Sequence, residues 1–176
     1  MTSGAKFGFY AVGLAKRYSS SSVIAFDTDW WAREAVLEMA VANNTKNIDV
    51  KGFCTPDWIA ENTAQDAFII SDCEGYEDVL FRHSTVSRLK SATLIIETHD
   101  CFAPGVCERL RKVFGGTHTV RKFNEESPRL LTNRRLDFLL ESEVRLAIQE
   151  VRPPQTWLLC LPNTGPNKEI QNFGRK

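Results

Sequence analysis

Ala67-Phe68-Ile69-Ile70-Ser71-Asp72-Cys73-Glu74-Gly75-Tyr76-Glu77 lies near the middle of the chain and changes character abruptly. A short apolar run ends in carboxylates and a glycine. Such a run reads as a strand buried on both faces, as inside a parallel sheet. Ligands in open α/β sheets bind just beyond the carboxyl ends of the strands, which is where Asp72 and Glu74 fall. A second run, Ala92-Thr93-Leu94-Ile95-Ile96, ends the same way in Glu97-Thr98-His99-Asp100. Two neighbouring strands that both finish in acids predict one shared site.

Outward from these runs, strands alternate with helices. Gly4-Ala5-Lys6-Phe7-Gly8 reads as a turn feeding a helix through about Tyr18, and Val23-Ile24-Ala25-Phe26 as a strand ending at Asp27. A helix is expected from Trp30 to Ala42, with Asp29 as its N-cap and Ala35, Val36, Met39 and Ala40 facing inward. Ile48 to Phe53 reads as a strand, Pro56 as the start of a brief helix, and Glu77 to Phe81 as another. Pro104 is placed in the first turn of a helix ending before Gly115-Gly116, followed by a strand over Thr117–Arg121. A loop is expected over Glu125–Asn133. Leu136, Leu139, Leu140, Val144 and Ile148 recur at helical spacing, and Trp157–Leu161 is a last strand. The pattern predicts a single α/β domain over residues 1–164 with a doubly wound, mostly parallel, Rossmann-like sheet. Residues 165–176 read as a polar tail.

Composition narrows the function. Lys plus Arg and Asp plus Glu each number 22, giving a net charge of zero, which argues against a protein that holds nucleic acid through its phosphates. No apolar run approaches the roughly 18 residues of a membrane span, and no leader-like apolar segment opens the chain. Five scattered cysteines, without a Cys-x-x-Cys pair, are read as reduced thiols in the cytoplasm.

Asp27 lies 19 residues after Gly8, close to the offset at which dinucleotide-type folds place an acid on ribose hydroxyls. The glycine spacing is not Gly-x-Gly-x-x-Gly, which disfavours a nicotinamide cofactor and with it an oxidoreductase. An ordinary strand-to-helix turn beside a solvated aspartate is the plainer alternative.

Three segments together, Gly4-Ala5-x-x-Gly8-Phe9-Tyr10-Ala11-Val12-Gly13-Leu14-Ala15, then Ala25-Phe26-Asp27, then Asp72-Cys73-Glu74-Gly75-Tyr76-Glu77, resemble the successive motifs of class I S-adenosylmethionine-dependent methyltransferases. The FkbM-like branch is the most similar, through Asp-x-Glu-Gly-x-Glu and the Glu-Thr-His-Asp ending of the next strand. The resemblance implies that Gly4, Ala5 and Gly8 border the amino-acid part of S-adenosylmethionine and that Asp27 binds its ribose. It further implies that Phe53 and Cys54 flank the adenine and that Asp72 lies nearest the sulfonium and the acceptor. A final antiparallel strand pair is expected.

One departure carries a further expectation. Only Met1-Thr2-Ser3 precede the glycine turn, where the family has a buried central strand, so that strand is expected to be missing and the chain to be an amino-terminally truncated fragment. Losing it would remove about 8 hydrogen bonds at about 0.5–1.5 kcal/mol each, against a total stability of about 5–15 kcal/mol.

The expected reaction is methyl transfer to a hydroxyl of a small molecule or sugar, with Asp72, Glu97, His99 and Asp100 as candidate catalytic groups. His99 has the titration range of a proton acceptor, although a structural histidine in a loop accounts for it equally. Glu74 and Glu77 could instead cap the helix that begins there. The carboxylates with one histidine could also hold a divalent metal, and Cys73, His99 and Cys101 a zinc ion; the preferred reading has no metal. A domain that keeps the fold without catalysis is the second function class.

Overall fold

A computed structural model describes residues 1–124, 138–140, 142–144 and 153–163. Seven strands form one sheet in the order β3-β2-β1-β4-β5-β7-β6. They are β1 (Thr2–Ser3), β2 (Val23–Phe26), β3 (Ile48–Lys51), β4 (Phe68–Ser71), β5 (Thr93–Thr98), β6 (His118–Asn124) and β7 (Thr156–Pro162). β1 to β5 pair in parallel, and β7 runs antiparallel between β5 and β6. The helices are α1 (Phe9–Arg17), α2 (Trp30–Ala42), α3 (Pro56–Asn62), α4 (Glu77–Leu80), α5 (His83–Val86) and α6 (Val106–Phe114). The doubly wound α/β reading and the closing antiparallel pair are both present.

Alternation along β2 shows that both faces of the sheet are covered. Val23 and Ala25 pack with Ala11, Val12, Ala15, Val36 and Ala40 of α1 and α2, while Ile24 and Phe26 belong with Leu80, Phe81, Leu110 and Phe114 on the other side. Side chains of a strand point alternately to opposite faces, so residues one apart must enter different cores. The first face is built mostly from alanine and valine, which lets helices lie close. The second is aromatic, with Phe81 and Phe114 rings 5.7 Å apart.

The central strand expected to be missing is in place, shortened to two residues. Thr2 pairs with Ala25 on one side and Ile70 on the other, and Ser3 with Phe26 and Ser71. Backbone amides of Ile70 and Asp72 donate to the carbonyls of Met1 and Ser3, at 3.0 and 2.9 Å, and the terminal amine of Met1 donates to Phe68 O at 2.8 Å. Thr2 and Ser3 are 2% and 6% exposed. The gap between β2 and β4 is therefore filled, and the hydrogen-bond deficit expected there does not arise in full.

Other boundaries shift for local reasons. α2 has the expected limits, and the Asp29 carboxylate accepts from Trp31 N. Its inner side is Ala32, Val36 and Ala40, at a strict four-residue spacing, with Met39 42% exposed. α6 begins after Gly105, whose φ of +78° closes the preceding turn, so Pro104 lies before the helix. α5 has no counterpart in the sequence reading. The loop over 125–133, most of the helical pattern over 136–148 and the tail from 165 fall outside the described residues.

Candidate active site

β1 is where the strand order reverses, β2 and β3 continuing on one side and β4 and β5 on the other. At such a switch point the connections leave in opposite directions and open a crevice at the carboxyl ends of the strands. A cleft of about 330 Å³ lies there, lined from Ser3, Gly4, Asp27, Phe53, Asp72 and Tyr76 among others.

Gly4 is required by the chain itself. Its φ is +74°, and a Cβ placed on it would lie 1.6 Å from the carbonyl oxygen of Asp72. No side chain can occupy that space, so β1 and β4 converge at the site only because residue 4 lacks one. Gly8 serves packing: at φ +80° it precedes α1, and a Cβ there would press within 3.3 Å of Val36 in α2. Gly8 and Ala5, which the resemblance places along the amino-acid part of the cofactor, are not among the residues that line the cleft.

Asp27 lines the cleft and also ties it together. One carboxylate oxygen accepts from Lys6 N at 2.8 Å and the other from Asp29 N at 2.9 Å. The turn after β1 and the start of α2 are thus held to the end of β2. Each carboxylate oxygen has a second lone pair, so a diol can still be bound. Phe53 is 53% exposed, and its ring lies 5.2 Å from that of Tyr76. Cys54 is buried, and burial pushes its thiol up to about 12. Tyr76, Cys73 and Glu74 also join the lining, beyond the residues expected there; the adjacency of Tyr76 to the acidic turn is the signal that points to it.

The electrostatics of the cleft are one-sided. Asp27, Asp72 and Glu74 line it with no lysine, arginine or histidine among its described residues. Such a cleft favours a cation and opposes a pyrophosphate.

Behind the lining lies His99, fully buried. Its Nδ1 donates to Glu77 Oε1 at 2.6 Å, and Nε2 faces Asp72 Oδ1 at 3.4 Å and Glu74 Oε2 at 3.3 Å. Burial by itself lowers the basicity of His99. The hydrogen bond to Glu77 and the charges of Glu77, Glu74 and Asp72 outweigh it, and the net shift is upward. Glu74 takes a left-handed backbone, φ +52°, and Gly75 follows at +101°; strain of this size, about 1–2 kcal/mol for a residue with a side chain, turns the chain so that Glu74 points back toward His99. Glu77 is 0% exposed and also accepts from Gly75 N at 3.1 Å. Its role goes well beyond capping α4.

Glu97, at 2% exposure, ends β5 and comes together with Asp72 and His99: one ligand-capable atom from each lies within 4.8 Å of the others. Asp100 points elsewhere. Its oxygens accept from Gly105 N and Cys107 N, at 3.0 and 3.3 Å, and so brace the start of α6. Cys73 and Cys101 do not join His99 in a metal-capable group among the described residues. His118 is buried between Ala92 O and Thr117, whereas His83 is exposed. Trp30 and Trp31 stack at 4.0 Å, more than half exposed, outside the cleft lining.

No family model and no curated protein sequence matches the chain. Solved structures do. A precorrin-6y C5,15-methyltransferase from Geobacter metallireducens superposes with a TM-score of 0.60 at 9% identity, covering 91% of this chain and 78% of that one. An rRNA methylase from Streptococcus thermophilus gives 0.59 at 13%, covering 91% and 84%. A candidate methyltransferase from Streptococcus mutans, in complex with SAH, gives 0.54 at 16%, covering 91% and 86%. The fold is the seven-stranded, mostly parallel methyltransferase type.

Proposed function

We propose that the cleft binds S-adenosylmethionine and that the chain transfers its methyl group to a small-molecule acceptor. The observation that carries this reading is the composition of the cleft at the switch point: three carboxylates, an aromatic pair and, among the described residues, no basic side chain. The donor's sulfonium supplies an activated methyl group and a positive charge, which suits Asp72 and Glu74 and would be ill served by a cleft made for phosphates. Asp27 fits the ribose hydroxyls, and Phe53 with Tyr76 offers flat apolar surface for an adenine. A neighbour of the same fold solved with SAH supports the choice of cofactor.

Methyl transfer from a sulfonium is an in-line displacement, so positioning supplies much of the rate. The half-buried Asp72 carboxylate stands on the cleft wall at the end of β4 and takes the acceptor's proton. His99 cannot reach solvent and works through Asp72, holding it from behind. Glu97, buried near the end of β5, stands beside this pair. Asp100 braces the β5–α6 connection and acts only at a distance.

The acceptor expected from the sequence, a hydroxyl of a small molecule or sugar, is not among those in the neighbours' names, which include a precorrin, ribosomal RNA and transfer RNA. A small acceptor agrees with the zero net charge and the acidic cleft, both poorly suited to a nucleic acid. The FkbM-like affiliation is supported by Asp72-x-Glu74-Gly75-x-Glu77 and by Glu97-Thr98-His99-Asp100. The five cysteines are free thiols, which supports a cytoplasmic setting, and among the described residues no helix is long and apolar enough to cross a membrane.

Calorimetric titration of the chain with S-adenosylhomocysteine and, separately, with NADH tests the reading. Saturable binding of the first alone is expected. Binding of NADH alone would move the assignment to a dinucleotide-dependent protein, and binding of neither by the folded chain would leave the second function class, a domain without catalysis.

A further inference from the structure

The surface beside the acidic turn is apolar. The turn Glu74-Gly75-Tyr76 and the loop Cys101-Phe102-Ala103-Pro104-Gly105 press against each other: a Cβ placed on Gly75 would lie 3.0 Å from Cβ of Phe102. Glu74 and Tyr76 both line the cleft, so Phe102 stands at its edge on the β5 side. The Phe102 ring lies nearly parallel to the buried imidazole of His99, with 21° between the planes and 5.9 Å between centroids, and its backbone amide donates to His99 O at 2.9 Å. The residue is nevertheless 64% exposed. No side chain of this loop carries an oxygen or a nitrogen. Arg109, which reaches the loop from α6, is committed to Asp78 and to the Pro104 carbonyl, and the Asp100 carboxylate to the amides of Gly105 and Cys107.

One exposed aromatic residue is ordinary on a protein surface, whereas a group of them at one end marks a place where something binds. Phe7 and Phe9 follow β1, Trp30 and Trp31 follow β2, Phe53 follows β3 and Phe102 follows β5, each more than half exposed. The segments that leave parallel strands emerge at their carboxyl ends, so all six stand at the end that holds the cleft. We propose that the acceptor is a flat, apolar molecule, an aromatic ring system bearing the hydroxyl to be methylated, which packs one face on Phe102 and turns that hydroxyl to Asp72. This rests on the methyl-transfer reading and sets the sugar aside. A sugar ring needs side-chain partners for several hydroxyls, and the loop beside the acidic turn offers none. The carboxylates of Asp72 and Glu74 oppose a phosphorylated or carboxylated acceptor as well. As the acceptor oxygen bonds to the methyl carbon, the carbon–sulfur bond breaks, the hydroxyl proton passes to Asp72, and the sulfonium leaves as a neutral thioether.

Naphthol and umbelliferone serve as flat probes and methyl glucoside as a sugar, each titrated by calorimetry into the chain with and without S-adenosylhomocysteine. Saturable binding of at least one flat probe, tighter than that of methyl glucoside, is expected. Phe102→Ala should weaken it about fivefold or more, the worth of a lost ring contact, and Phe102→Tyr should keep it. Tyr18→Ala removes an exposed aromatic at the far end of α1 and should leave it unchanged. Circular dichroism confirms that each variant is folded. Absence of saturable binding of both flat probes overturns the proposal, as does tighter binding of methyl glucoside, unchanged binding in folded Phe102→Ala or an equal loss in Tyr18→Ala. Titration of the same samples with S-adenosylhomocysteine reports on the cleft separately. Uptake of S-adenosylhomocysteine without a flat probe would sink the acceptor class alone. A flat probe held through Phe102 in a chain that takes up no S-adenosylhomocysteine would sink the methyl-transfer reading.

Discussion

His99 and Glu77 lie 22 residues apart in the chain and are buried together, Nδ1 to Oε1 at 2.6 Å, with neither side chain reaching solvent. Removing one member of such a pair strands the other's polar group in a low-dielectric interior. Glu77→Ala should therefore cost about 3–5 kcal/mol of unfolding free energy. Urea denaturation measures it. A loss under about 1 kcal/mol would show that the pair is not what holds the acidic turn to β5.

Two glycines should respond in opposite directions to the same substitution. Gly4→Ala drives a methyl group into the Asp72 carbonyl at a positive φ and should destabilise the protein by more than about 3 kcal/mol. Gly13 lies exposed within α1, and a Cβ added to it would meet nothing within 4 Å. Gly13→Ala should stabilise by roughly 0.5–1 kcal/mol, the difference in helix propensity. Thermal melts of the two variants decide this. Equal shifts would contradict the close approach at the switch point.

His118 should make the protein sensitive to acid. Burial lowers its basicity below the ordinary histidine value of 6.5, and its bonds to the Ala92 and Leu89 carbonyls only partly oppose this. The unfolded chain then binds the proton more readily than the folded one, so stability is lost as pH falls below about 6.5. Denaturation of the parent and of His118→Gln across pH 5–8 should show the parent's advantage shrinking with acidity. A constant gap would mean that His118 does not titrate differently on folding.

Thiol chemistry offers an independent check of burial. Cys54, Cys73 and Cys160 are each pushed up to about 12, chiefly by burial, and Cys107 is also raised. Cys101 is exposed. Since the thiolate is the reactive form, a thiol reagent near pH 7.5 should modify one cysteine rapidly in the folded protein and five after denaturation. Cys101→Ser should abolish the fast phase. Fast reaction of a second thiol would contradict the packing around the cleft.

The elements carried by long patterns are legible in the sequence. Asp29 and the run from Trp30 to Ala42 define α2 at both ends, and the apolar runs before Asp72 and Glu97 define β4 and β5. β1 escapes notice because two small polar residues carry no hydrophobic period; only the open ladders of β2 and β4 make Thr2–Ser3 a strand. Pro104 points to a helix start that Gly105 takes instead. In the site, Asp72, His99 and Glu97 come together as expected from their strand ends. Glu77 counts for more than its sequence position suggests, since its meeting with His99 joins residues 22 apart in the chain, which no local spacing encodes. Asp100 shows the reverse error: adjacency to His99 suggests chemistry, and the geometry gives it the backbone amides of Gly105 and Cys107.

The proposed function stands or falls with the acidic, aromatic cleft beside Asp27 and Asp72 as a cofactor site. The measurement that tests it most directly is the dissociation constant for S-adenosylhomocysteine in the parent and in Phe53→Ala, whose side chain is half exposed and so dispensable for folding. Saturable binding at one equivalent is expected in the parent, with a loss of about tenfold or more in the variant, about 1.4 kcal/mol. Binding of equal strength in both proteins, or none in a folded parent, would contradict it.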